Sequence, residues 1–244
     1  MTAASPVGLI TGGLSGIGAA SAVEFGRLGA RIVLVDLSPE GVDEITERVR
    51  DAGGEAVVEI ADVRDPLAQE RAARRALAEW GRIDFLLASA GIADQSGTAD
   101  GDPDRWRRVV ETNVLGVLYS TRAVLPTMVE QGAGHVLIVS SVSGRESYVG
   151  EPVYIATKWA QVGFAHALRL ELLEPGIRVT LVEPGLVDTP LTRDNPKVRH
   201  LLDEIEPLTP IDVARAVVYA FQQPGRVTVS EVVVRPQRQQ LPRL

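Results

Sequence analysis

Val7-Gly8-Leu9-Ile10-Thr11-Gly12-Gly13-Leu14-Ser15-Gly16-Ile17-Gly18 decides how the rest of the chain is read. Val7–Thr11 is apolar and β-rich, so it predicts a strand, and the pattern from Gly16 to Leu28 predicts a helix. The residues between them are mostly glycine. Without a Cβ the backbone can turn tightly and come close to another group. The helix that follows opens with free N–H groups and a partial positive charge, a setting that suits a phosphate. Ser15 adds a hydroxyl donor. The spacing is Gly-x3-Gly-x-Gly, which differs from the commoner Gly-x-Gly-x-x-Gly.

Reading outward, the same alternation repeats. Strands are predicted at Arg31–Val35, Glu55–Ile60, Ile83–Ala88, His135–Ser140, Ile177–Val182 and Val227–Val234. Between them helices are predicted at Pro39–Ala52 (capped by Ser38), Pro66–Glu79 (capped by Asp65), Pro103–Met128, Pro152–Leu173 and Ile211–Gln222. Strands alternating with helices signal βαβ units and a parallel sheet. Runs such as Val136-Leu-Ile-Val139 are apolar throughout, as strands covered on both faces are. No linker, low-complexity tract or repeat divides the 244 residues, so one domain over 1–244 is expected. Ala93–Asp102 and Thr189–Pro210 read as irregular, and such segments at the carboxyl ends of strands usually border ligands.

Composition narrows the function. A net charge of -7 argues against a nucleic-acid partner. With no cysteine there is no disulfide framework and no thiolate chemistry. No apolar run is long enough for a membrane span, and Met1–Gly13 does not read as a signal peptide, so a cytoplasmic location is expected. His135, His166 and His200 share no metal-ligand spacing, and no metal is expected.

The chemistry gathers later in the chain. Of 25 basic residues only Lys158 and Lys197 are lysine, and Lys158 follows Tyr154 by one helical turn. A phenol beside an ammonium has its charged form favoured. Ser141 stands at the end of the fifth predicted strand. Asp36 closes the second strand, where a carboxylate accepts from ribose hydroxyls and repels a 2′-phosphate. No Arg or Lys occurs in Gly12–Gly18 or at 37–39, so NAD is favoured over NADP.

With these motifs in order, the chain resembles the short-chain dehydrogenase/reductase family, single-domain branch. The resemblance runs from the first strand to at least Pro190. It implies an α/β, Rossmann-type doubly wound sheet of seven parallel strands, order 3-2-1-4-5-6-7, with helices on both faces. It implies Asn113, Ser141, Tyr154 and Lys158 as the catalytic set. On the cofactor side it implies Gly12, Ser15, Gly16, Ile17, Gly18, Asp36, Asp62, Val63, Ala90, Gly91, Tyr154, Lys158, Pro184, Gly185, Val187 and Thr189. Tyr154 is then the acid/base for a secondary alcohol or ketone, and bringing its pKa from ~10 to near 7 takes roughly 4 kcal/mol. Ser141 holds the substrate oxygen, and Asn113 positions a water that carries protons from Lys158 to solvent. The helices Pro103–Met128 and Pro152–Leu173 are implied to pair in a homodimer or homotetramer. Two readings stay open beside this one: an NADP-dependent reductase of the same family, and a cofactor-binding regulator without turnover. Two positions depart from the family pattern, Ser89 where Asn is usual and Trp159 where small residues are common. The substrate pocket is expected to be modest and partly open, shaped by Ile92–Asp102, Gly144–Val153 and Leu186–Pro210.

Overall fold

The computed structural model describes residues 5–196 and 198–239; Lys197 and both ends of the expected domain lie outside these residues. Seven strands form one parallel sheet in the order β3-β2-β1-β4-β5-β6-β7. They are β1 (Val7–Thr11), β2 (Arg31–Asp36), β3 (Glu55–Ile60), β4 (Phe85–Ala88), β5 (Gly134–Val139), β6 (Ile177–Pro184) and β7 (Glu231–Val234). The strand order reverses between β1 and β4, which pair from Gly8 opposite Phe85 to Thr11 opposite Ala88. That reversal opens a crevice at the carboxyl ends of the strands. The helices are α1 (Gly16–Gly26), α2 (Val42–Asp51), α3 (Pro66–Trp80), α4 (Pro103–Val110), α5 (Gly116–Gln131), α6 (Pro152–Glu171), α7 (Pro190–Arg193), α8 (Leu201–Glu204) and α9 (Pro210–Phe221).

Both faces of the sheet are covered, as the continuous apolar strands require. On one face Phe25, Ile45, Val49 and Val217 of α1, α2 and α9 pack against Ile10, Leu34, Phe85 and Leu137. On the other, Ala72, Val124, Met128 and Leu168 of α3, α5 and α6 pack against Leu9, Val33, Leu86 and Ile138.

Local chemistry explains where the elements depart from the sequence reading. Helix α2 starts at Val42, not Pro39: Ser38 accepts from the Glu40 amide within a turn, and Gly41 at φ 82° redirects the chain before the helix. The expected helix Pro103–Met128 is broken by a π turn at Glu111–Leu115. The last strand is Glu231–Val234, shorter than expected from Val227. Thr189–Pro210 holds the short helices α7 and α8. The remaining ends shift by a few residues, within the usual spread of helix and strand boundaries. Asp65 caps α3 as expected, accepting from the Leu67 amide at 2.9 Å.

Candidate active site

The glycine turn is set by contacts no larger residue permits. A Cβ on Gly18 would lie 2.0 Å from the Gly12 carbonyl oxygen, and one on Gly12, at φ +64°, would lie 2.9 Å from Ala90 Cα. The turn therefore sits flat against the end of β4. Thr11 ties the two strand ends together, its hydroxyl accepting from the Ser89 and Ala90 amides at 3.2 and 3.3 Å. A serine at 89 thus leaves the strand end tethered from the neighbouring strand.

Beside this turn lies a cleft of about 300 Å³ lined by Gly12, Ser15, Gly16, Ile17, Asp36, Asp62, Val63, Ala90, Gly91 and Thr189, among others. Ser15 makes no side-chain cap bond and α1 has no acidic residue in its first turn, so the helix N-terminus faces the cleft with its positive end unopposed. Asp36 braces the turn by accepting from the Leu14 amide at 3.0 Å while still lining the cleft. Glycine turn, open helix end and strand-end carboxylate together fit an extended anionic dinucleotide.

Gly18, Pro184, Gly185 and Val187 were expected on the cofactor side but do not line this cleft. Gly18 lies beneath the turn and lets α1 approach it. The Val187 side chain is buried in the core, and Pro184 ends β6; neither side chain lines the cleft. Asp62 is gripped by Arg64, whose Nε donates to its carboxylate at 2.9 and 3.0 Å. These bonds hold Asp62 below its ordinary carboxylate range and compete with any partner in the cleft. Arg64 and Arg108 also line the cleft, two cations that the sequence reading did not place there.

A second, larger cavity of about 590 Å³ lies beyond Leu191, which lines both spaces. Ser141 and Tyr154 form part of its wall, with Tyr148, Glu151, Leu186, Asn195 and Gln239. Of the expected segments, Gly144–Val153 contributes Glu146, Tyr148, Val149 and Glu151, Leu186–Pro210 contributes residues from Leu186 to Ile205, and Ile92–Asp102 contributes Ala93 alone. Arg238 and Gln239 were not foreseen; the Gln239 side chain accepts from the Leu186 amide at 2.9 Å.

The four expected catalytic residues converge where the two spaces meet. Lys158 Nζ lies 5.5 Å from the centre of the Tyr154 ring, and a Cβ on Gly91 would lie 3.9 Å from that Nζ and 3.4 Å from Asn113 Oδ1. Burial pushes Tyr154 up to about 12, against the opposing pull of the Ser141 hydroxyl, and Glu151 raises it further. Burial likewise lowers Lys158 to about 7. In the protein alone burial thus drives both groups towards their neutral forms.

Asn113 lies in the π turn and is fully buried. Its amide nitrogen donates to the Ile92 carbonyl at 2.9 Å and to the Thr157 hydroxyl at 3.0 Å, while its Oδ1 accepts from the Ile92 amide at 2.9 Å. Its own carbonyl accepts from Gln161 Nε2 at 2.6 Å, and Lys158 Nζ donates to Gln161 Oε1 at 3.1 Å. A glutamine side chain therefore bridges the Asn113 carbonyl and Lys158 Nζ.

Other candidates take structural roles. Asp188 pairs with Arg193 at 2.6 Å. His135 is buried against the Thr180 hydroxyl at 2.7 Å, and burial lowers it to about 3. Trp159 is half exposed and lines neither cavity. Among the described residues there is no cluster that could hold a metal, and no helix is long and apolar enough to cross a membrane.

The sequence signature described as short chain dehydrogenase matches residues 6–199. The chain belongs to the short-chain dehydrogenase/reductase family. It is an oxidoreductase of that family. An uncharacterized oxidoreductase of Staphylococcus saprophyticus is 37% identical over 233 residues, covering 94% of this chain and 97% of its own. The closed form of a serine dehydrogenase complexed with NADP+ superposes with a TM-score of 0.90 at 31% identity, covering 98% of each chain. A short chain dehydrogenase from Mycobacterium paratuberculosis bound to NAD gives 0.84 at 29% identity, covering 94% of this chain and 96% of its own.

Proposed function

We propose that this protein transfers a hydride between a secondary alcohol or ketone and NAD(H), with Tyr154 as the acid/base. The observation that carries the reading is the meeting of two spaces at one point: a glycine-turn cleft suited to a dinucleotide, and a cavity walled by Ser141 and Tyr154. The nicotinamide, when bound, supplies the hydride acceptor or donor. Everything else falls to the chain. Gly12, Ser15, Gly16 and Ile17 hold the pyrophosphate, and Asp36 holds the adenosine ribose. Val63, Ala90 and Gly91 form the floor of the cleft, and Gly185 and Thr189 border the reactive end. Asn113 and Gln161 fix Lys158, whose charge favours ionisation of the phenol. Ser141 supports the oxygen at which charge develops.

The preference for NAD rests on Asp36, which disfavours a 2′-phosphate. Arg64 and Arg108 favour a second reading, with NADP, because they bring positive charge to the same cleft. Arg64 is already engaged by Asp62 and Glu111, which weighs for NAD. In this reading the chain assembles as a homodimer or homotetramer through α5 and α6, where Val129, Trp159 and Leu170 are exposed.

The test is a panel of isopropanol, cyclohexanol, phenylethanol and serine with NAD+ and NADP+, followed by NAD(P)H absorbance. Turnover with NAD+ that Tyr154→Phe abolishes is expected. Wild-type turnover in Tyr154→Phe would sink the assignment, and tight dinucleotide binding without turnover on any wider panel would favour the regulator. Asp36→Ala is expected to narrow the gap between the two cofactors by about tenfold, or roughly 1.4 kcal/mol.

A further inference from the structure

Away from Ser141 and Tyr154, most polar side chains on the wall of the larger cavity are engaged by their own neighbours. Tyr148 donates to Glu151 Oε2 at 2.8 Å, and Asn195 donates to Glu151 Oε1 at 2.5 Å. Ser143 Oγ lies 3.0 Å from the Tyr148 hydroxyl. Glu146 accepts from Arg235 Nη1 at 3.1 Å, and Gln239 accepts from the Leu186 amide at 2.9 Å. The Thr192 hydroxyl lies 3.3 Å from that of Thr189. Arg238 reaches the cavity from an exposed position, where water solvates its charge. A polar ligand body would have to compete with these bonds, and each bond it broke without replacing would count against binding.

What the wall offers instead is apolar surface. From Val198 to Ile205 the chain turns helically around α8: the Leu201 amide donates to the Val198 carbonyl at 2.9 Å, and the Ile205 amide to the Leu201 carbonyl at 3.0 Å. Val198, Leu201 and Ile205 stand at i, i+3 and i+7, so they share one face, and all three line the cavity. Arg199, His200, Asp203 and Glu204 are exposed on the other side. An amphipathic turn of this kind ordinarily lays its apolar face on the core. Here none of the three belongs to either core layer, and each is only half-buried. Leu191 is exposed and Val149 fully so, and both line the same cavity. Single exposed apolar side chains are ordinary, but five that converge on one concave space with the reacting pair mark a binding surface. At about 590 Å³ that space is of the size that encloses a medium-sized organic molecule.

We infer that the substrate is an apolar secondary alcohol or ketone of medium size, an inference that rests on the proposed oxidoreductase reading. Its oxygen lies at Ser141 and Tyr154, and its alkyl or alicyclic body lies against Val149, Leu191, Val198, Leu201 and Ile205. Leu191 also lines the cofactor cleft, so the body is held where the two spaces meet. Each methylene moved from water onto this wall is worth about fourfold in binding. A small zwitterion such as serine gains nothing from it.

The experiment measures kcat/KM for 2-butanol, 2-hexanol, 2-octanol and serine with NAD+ and with NADP+. A rise of roughly tenfold for each two-carbon step is expected, with serine the poorest of the four. Leu201→Asn with Ile205→Asn should cost 2-octanol at least about tenfold more than 2-butanol. If that pair fails to fold by circular dichroism, Val149→Asn decides, since its side chain is fully exposed. A second readout needs no turnover: calorimetric titration of 2-butanone, 2-hexanone and 2-octanone onto protein holding NADH or NADPH. Affinity should rise with chain length, with a negative heat-capacity change. Rates that stay level or fall with chain length, or serine as the best substrate, with Tyr154→Phe inactive, overturn the apolar substrate and leave the function standing. A gradient that survives unchanged in the wall variants places the body elsewhere and overturns it too. Ketone affinity that climbs with chain length while no compound reacts supports the apolar site and counts against the function. Affinity independent of chain length overturns the inference even if nothing reacts. Wild-type activity in Tyr154→Phe sinks the function, and the chain-length gradient then decides the apolar site by itself.

Discussion

Lys158 Nζ donates to the Val139 carbonyl at 3.3 Å and to the Gln161 amide oxygen at 3.1 Å, and among the described residues no carboxylate lies beside it. Burial lowers its pKa from 10.5 to about 7, so the folded chain holds its proton less tightly than the unfolded chain does. The unfolded state therefore binds more protons between pH 7 and 10.5, and stability rises with pH across that window. Below pH 7 the full cost is present, on the order of 5 kcal/mol. Lys158→Met removes it but strands two acceptors, at about 1–3 kcal/mol together. Urea unfolding at pH 6 should show the variant more stable by about 2–4 kcal/mol. By pH 10 the ammonium cost has fallen to about 1 kcal/mol, so the variant should have lost its advantage and be slightly the less stable. Equal stabilities at pH 6 would mean that the ammonium is better solvated than its burial implies. A residue retained at such a cost in folding marks a site shaped by chemistry.

Among the elements, the turn between β1 and α1 was the most legible in the sequence, because its glycines answer to a local geometric demand. The Gly18 position makes this testable. An added methyl 2.0 Å from the Gly12 carbonyl must push the helix off the turn. Gly18→Ala is expected to lose at least about 2 kcal/mol in thermal unfolding and to weaken dinucleotide binding in a fluorescence titration. Unaltered binding would show that the turn tolerates opening. The π turn at Glu111–Leu115 was not legible, since Pro103–Met128 carries an unbroken helical pattern. One extra residue in the turn aims the Asn113 side chain at both polar atoms of Ile92 and frees its carbonyl for Gln161. These partners lie 21 and 48 residues away, beyond the reach of local pattern.

On the scale of the whole molecule, the parallel sheet places its ligand spaces at the carboxyl ends of the strands, and α5 and α6 leave apolar side chains outside. Trp159 is 50% exposed and Leu170 73%, on a helix whose opposite face carries Lys158 into the site. A second copy covering this face is expected, with sedimentation velocity giving a dimer or tetramer. Trp159→Glu with Leu170→Glu should shift the protein to monomer while its circular dichroism stays native. A wild-type monomer at micromolar concentration would refute this.

The sequence by itself determined the order of strands and helices, the parallel sheet, and the positions of the glycine turn and of Ser141, Tyr154 and Lys158. Hydrophobic period, β-branching and glycine spacing are local properties and act wherever the chain folds. Only the tertiary structure decided what those residues touch. It put Gln161 between Asn113 and Lys158 and Arg64 on Asp62. Hydrogen bonds and burial depend on neighbours brought together by packing, and burial of Tyr154 opposes the ionisation that a neighbouring ammonium favours.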